Sequence, residues 1–185
     1  MTSGAAGAAG ASGTASGASA GSGRDALEFK AAVGARTAAV ERLATAPYAP
    51  PWPDGVDPAR SASGADFAIV ALRVSADFYE DEDHGIHDAV LDEYGTELWG
   101  VVHALDARWG AHRTVELTEY ADRYLADEPV PPFYASLCEL GYFGDLETWR
   151  VGGRLVAVGV GQPDVEEPVV LYGAVNGAPD PGRAN

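Results

Sequence analysis

Cysteine and lysine each occur once in the 185 residues, and no run of about 18 apolar residues occurs anywhere. The lone Cys138 cannot close an intramolecular disulfide, which excludes a secreted disulfide scaffold. No His or Lys adjoins it in PPFYASLCELG, so it reads as a small buried hydrophobe rather than a reactive thiol. Without a long apolar run there is no segment to span a membrane. The N-terminal residues also lack the basic start and the Leu-rich or Val-rich core of a secretory signal. A cytoplasmic protein is the expectation.

Positive charge is scarce as well. Twelve Lys and Arg face 28 Asp and Glu, giving a formal charge of −16 and a pI near 4.4. Phosphate backbones require clustered Lys and Arg, so nucleic acid is not an expected partner. A protein with a basic surface would instead be steered toward this chain. Catalytic templates are missing: the sequence has no G-x-S-x-G elbow, no P-loop and no Gly-rich cofactor fingerprint. No cofactor is expected.

The segments that are present divide the chain. Residues 1–24 are almost wholly Gly, Ala, Ser and Thr. They have too little apolar surface to offset the entropy of ordering, and are expected to form a disordered low-complexity tail. Residues 25–46 place Leu27, Val33, Val40 and Leu43 at helical intervals, with Asp25 as N-cap and Pro47 as the stop. Residues 47–64 carry five prolines and read as a linker, with Trp52 a candidate anchor on the core. A single domain is expected over 65–176, followed by a flexible C-terminus, 177–185.

Within that domain DFAIVALRV reads as an interior strand. Ile86, Val90, Tyr94, Leu98, Val101 or Val102, Leu105 and Trp109 then recur at steps of three or four, the pattern of an amphipathic helix. Gly95 and Gly100 weaken that helix, and a strand over LWGVVHALD is the competing reading. HRTVEL reads as a short strand. TEYADRYLADE reads as a helix capped by Thr118, with Ala121, Tyr124 and Leu125 inward. VPPFYASLCELGYF reads as another, with prolines in its first turn and Gly141 as the left-handed residue that ends it. ETWRV, the Gly152-Gly153 pair and RLVAVGVG form a hairpin, and VVLYGAV adds a third strand. The fold class is therefore α+β, a mainly antiparallel sheet with a C-terminal three-stranded meander packed by three or four helices. Phe67, Ile69, Val90, Leu98, Leu105, Leu137, Val156, Val158 and Leu171 are the expected core.

Two clusters carry the candidate chemistry. YEDEDHGIHD, residues 79–88, puts five carboxylates and two histidines into ten positions. An EF-hand register with Gly85 at its sixth position puts Leu91 where the bidentate carboxylate belongs, which excludes that loop. On a helix His84 could share a face with His87 or Asp88, which makes the three candidate metal ligands, although the spacing is not H-E-x-x-H. Read structurally, the same residues start a helix, with Asp81 or Asp83 as N-cap and carboxylates at the positive end of the dipole. From Val74 to Ala107 there are ten carboxylates and no Lys or Arg, so these charges lack partners nearby in sequence. The second cluster, ARWGAHR, brings Arg108, Trp109, His112 and Arg113 together as a candidate anion or partner site. Trp99, His103 and Asp106 share one helix face, with His103 at the core edge.

The expectation is a small acidic interaction or regulatory domain, a neutralising partner of a basic protein. It binds through Glu80, Asp81, Glu82, Asp83 and Asp88, with Arg108, Trp109 and Arg113 as further contact residues. The alternative is a metal-dependent hydrolase using His84, His87 and Asp88, with His103 in reach.

Overall fold

A computed structural model of the chain describes residues 18–49, 56–79 and 85–177. Four helices, α1 (Ala18–Thr45), α2 (Gly85–Trp109), α3 (Thr118–Leu125) and α4 (Pro132–Glu139), accompany six strands. The strands are β1 (Asp57–Ser63), β2 (Phe67–Val74), β3 (Arg113–Val115), β4 (Leu146–Val151), β5 (Arg154–Gly161) and β6 (Val170–Asn176). They form one sheet in the order β1-β2-β6-β5-β4-β3, every pair antiparallel. The α+β class and the β4-β5-β6 meander follow the sequence reading.

The meander closes on Gly152 and Gly153, with φ of 58° and 84°. Two successive positive φ angles make the tight turn whose twist matches the strands, and only glycine adopts them without strain. β2 lies between β1 and β6 and buries both of its faces, which is why it reads as an unbroken apolar run. Ala68, Val70 and Leu72 point to one side, with Val156, Val158 and Val175, beneath Val40 and Leu43 of α1 and Val101, Val102 and Leu105 of α2. Phe67, Ile69 and Ala71 point to the other, against Phe133 and Leu137 of α4 and Leu117. The sheet is thus the middle of three layers, and each fully buried Leu, Ile or Val contributes roughly 1.5–3 kcal/mol.

Several expectations need correction. α1 begins at Ala18, inside the segment read as a tail, so Asp25 is an interior helical residue and not its cap. The helix docks through its C-terminal half, where Val40 and Leu43 are buried. The segment 47–64 read as a linker contains β1. That strand is polar and kinked: the register shifts between Asp57 and Ala62, and the Ser61 hydroxyl accepts the Ala71 N–H at 3.0 Å. A side chain there replaces part of the backbone ladder, so no alternating pattern betrays the strand. Trp52 lies outside the described residues. Thr118 is the first residue of α3 rather than its cap; Leu117 holds that position without a side-chain hydrogen bond. Leu125, expected inward, is exposed. The α2 stripe is borne out at Tyr94, Val101, Val102 and Leu105, which are buried, but Ile86 is exposed and the polar His87 and Glu97 are buried as well. Val90 and Leu98 of the expected core are only half-buried. Among the described residues no helix is long and apolar enough to cross a membrane.

Candidate functional site

Both ends of α2 carry sequence-expected site residues. Glu80, Asp81, Glu82, Asp83 and His84 lie outside the described residues; Asp88 is described, with its carboxylate largely exposed. His87 is buried against the Phe78 ring, centroids 5.1 Å apart. Its Nε2 lies 3.0 Å from Gln162 Oε1. The Gln162 amide nitrogen donates to the carbonyls of Val165 and Glu167, at 3.1 and 2.7 Å, so its oxygen must face the imidazole. Nε2 therefore carries the proton and donates, which takes that nitrogen away from metal ligation. Nδ1 lies 3.3 Å from Asp88 Oδ1. Among the described residues no three His, Cys, Asp or Glu side chains converge on a point that could hold a metal.

Around this buried histidine the surface is acidic and partly apolar. Tyr79, Ile86 and Val165 are 61%, 64% and 46% exposed. Asp77, Asp88, Asp164 and Glu166 are exposed with them. Glu167 accepts from Arg60 at 2.5 Å and from the Tyr79 hydroxyl at 2.9 Å. The Arg60 bond first, and then the Tyr79 bond, hold the Glu167 carboxyl below its ordinary value.

Farther along α2, Glu93 and Glu97, which lack partners nearby in sequence, find them across the fold. Glu97 is buried and accepts from Arg73 of β2 at 2.5 Å, with Arg36 of α1 at 3.4 Å from its other oxygen. Arg73 also reaches Glu93 at 2.6 Å and lies over the Tyr94 ring, 4.2 Å from its centroid. The partners come from elements distant in sequence, so a count along the chain could not supply them.

The C-terminal end of α2 is built differently. Asp106 accepts the His112 backbone N–H at 2.9 Å and the Trp149 indole N–H at 3.0 Å, and lies 3.0 Å from His112 Nδ1. Burial alone would raise the Asp106 carboxyl, but these bonds outweigh it and hold the group below its ordinary value. The opposite ring nitrogen, His112 Nε2, lies 3.3 Å from Glu147 Oε2, which also accepts from the Thr114 hydroxyl at 2.9 Å. The imidazole stands between the two carboxylates, so the three groups do not surround a common point. Trp109 meets Trp149 edge to face, with centroids 5.8 Å apart. Trp109 and Arg113 line one cavity of about 520 Å³ with Trp149 and Arg150 of β4. Arg108, expected with them, turns instead to Glu41 of α1. His103 is exposed and its Nδ1 sits 2.7 Å from the Trp99 carbonyl, apart from the acidic end. Sequence reasoning missed Trp149, Arg150 and Glu147, since only the pairing of Arg113 with Thr148 brings β4 alongside.

Comparison with known families, curated proteins and solved structures finds no match.

Proposed function

We propose that this protein is an interaction domain that engages a basic protein through the end of the molecule where α2 begins. The observation that carries the reading is the exposure of Tyr79, Ile86 and Val165 among Asp77, Asp88, Asp164 and Glu166. Large apolar side chains left in water among exposed carboxylates match an interface with an apolar centre and a polar rim. The sequence adds four successive carboxylates at positions 80–83, immediately before α2. A formal charge of −16 supplies the long-range field that steers a cationic partner, while the apolar centre supplies short-range affinity.

The test is comparative capture from the native host, followed by affinity measurement on the purified partner. The chain should retain a partner of high pI at low salt and lose it progressively as salt rises. Ile86→Ser, a change at an exposed position, should weaken the complex by roughly ten-fold or more while leaving the fold intact. Equal affinity of the parent chain, Ile86→Ser and Glu80→Gln/Glu82→Gln for that partner would overturn the proposal.

A further inference from the structure

The acidic face leaves the histidine at the opposite end of α2 unexplained. His112 Nδ1 lies 3.1 and 3.0 Å from the two Asp106 oxygens, and Nε2 lies 3.3 Å from Glu147 Oε2. Ionised carboxylates accept and cannot donate, so each ring nitrogen needs a proton of its own to bond at both sides. Only the imidazolium makes both contacts favourable. An imidazole exchanges its second proton near neutral pH, so this arrangement responds to a proton in the physiological range.

The surroundings of the ring come from three elements. From α2 the Asp106 carboxylate and the Trp99 ring face it, the ring centroids 5.9 Å apart. From β4 come the Glu147 carboxylate and the Trp149 ring, 6.0 Å away. His103 lies against Trp99 with its Nδ1 turned to the Trp99 carbonyl, and Arg108 is engaged with Glu41. β3 supplies Thr114, whose hydroxyl donates to Glu147. When the second proton leaves the ring, Nδ1 keeps its own between the two Asp106 oxygens, and Nε2 turns a lone pair on Glu147. Glu147 is buried, so water screens that repulsion poorly. The oxygen concerned, Oε2, is also the one that holds Thr114. Thr114 pairs with Glu147 in the ladder, and β3 is a strand of three residues at the edge of the sheet. So short an edge strand has few ladder bonds with which to resist the loss.

We propose that His112 is a proton-operated latch on β3: as the imidazolium it ties the α2–β3 connection to both Asp106 and Glu147, and loss of the Nε2 proton to solvent releases Glu147, Thr114 and with them the edge strand. Opening leaves β4 as the edge of the sheet. The sign follows from the donors. The latch is closed on the acid side of the imidazole titration and opens as pH rises through it. The device is independent of the acidic face at the other end of α2.

Amide hydrogen exchange on the full chain at about pH 5.5 and about pH 8.5, on either side of the imidazole titration, tests the latch. Protection is expressed relative to an unstructured chain at the same pH, which removes the intrinsic pH dependence of exchange. The β3 amides that face β4 should lose roughly ten-fold or more of their protection at the higher pH, the effect of one charge-assisted hydrogen bond. Those of β5 and β6, in the middle of the sheet, should keep theirs. In Glu147→Gln the side-chain amide can turn its oxygen or its NH₂ group to Nε2, and in His112→Gln nothing titrates there, so the pH dependence at β3 should shrink to less than about two-fold in both. Parent protection at β3 that is the same at the two pH values would overturn the proposal. So would a loss shared equally by β5 and β6, or one that persists in full in either variant.

Discussion

At its N-terminal end α2 leaves Ile86 in water, as Tyr79 and Val165 are, whereas at its C-terminal end Trp109 is fixed against Trp149, whose indole Asp106 holds. Both ends carry a histidine next to carboxylates, and the histidines differ in what surrounds them. His87 is enclosed by Phe78 and Gln162, and the carboxylate beside it, Asp88, lies largely in solvent with one oxygen 3.3 Å from His87 Nδ1. His112 is clasped between Asp106 and Glu147. Acidic groups that already hold several donors work as scaffold, and those left in solvent keep their capacity for a partner. By that criterion Asp77, Asp88, Asp164 and Glu166 present their charge outward at the acidic end, and the other end spends Asp106 and Glu147 on holding Trp149, His112 and Thr114.

The largest effect that separates the two ends is expected from Asp106→Ala. It removes one acceptor from the Trp149 indole, the His112 amide and the His112 ring, and should lower unfolding stability by about 2–4 kcal/mol in urea denaturation. Asp88→Ala at the exposed end should change stability by no more than about 0.5 kcal/mol. Equal losses would erase the distinction between scaffold and free charge.

His87→Ala comes next. Loss of the Gln162 bond and of the Phe78 contact should cost about 1–3 kcal/mol. Elemental analysis of the same protein sharpens the point: a structural His87 leaves metal content unchanged, and a fall from stoichiometric metal on mutation would make it a ligand instead.

Acid sensitivity should separate Asp106 from the exposed Asp88. Asp106 is held below its ordinary value, so its contribution is fully present above the unfolded Asp value, near 3.9, and is lost as pH falls through the lowered folded value. Glu167, lowered by Arg60 and Tyr79, adds a contribution of the same sign. Asp106→Asn keeps an oxygen for the indole and should flatten the loss of stability on the acid side in a pH series of melting curves. Asp88→Asn serves as the exposed comparison, and a flattening as large as that from Asp106→Asn would contradict the assignment.

How much of this was legible in the sequence varies with the range of the interactions. The Gly152-Gly153 turn, the apolar run of β2 and the proline start of α4 are local signals, and the structure carries each of them. β1 was not legible, because a polar edge strand repaired by the Ser61 hydroxyl has no alternation to detect. The burial of Glu97 on α2 was hidden for a similar reason. Glu97 can be buried only because Arg73 and Arg36 arrive from β2 and α1, so a charged residue occupies a position that periodicity assigns to water. Of the second cluster, Trp109 and Arg113 were legible as neighbours in ARWGAHR. Their companions Trp149 and Arg150 arrive through strand pairing alone.

The smallest structural effect and the largest functional one are expected from the same change. Glu80→Gln/Glu82→Gln removes two charges and should alter stability by less than about 1 kcal/mol. The association rate of the parent chain and of this variant with the captured basic partner, measured as a function of ionic strength, tests the acidic-face account most directly. The account predicts that the parent rate falls steeply as salt rises, that the variant is slower at low salt, and that the two curves converge once screening is strong. A parent rate that does not depend on salt and is matched by the variant at every ionic strength would contradict it.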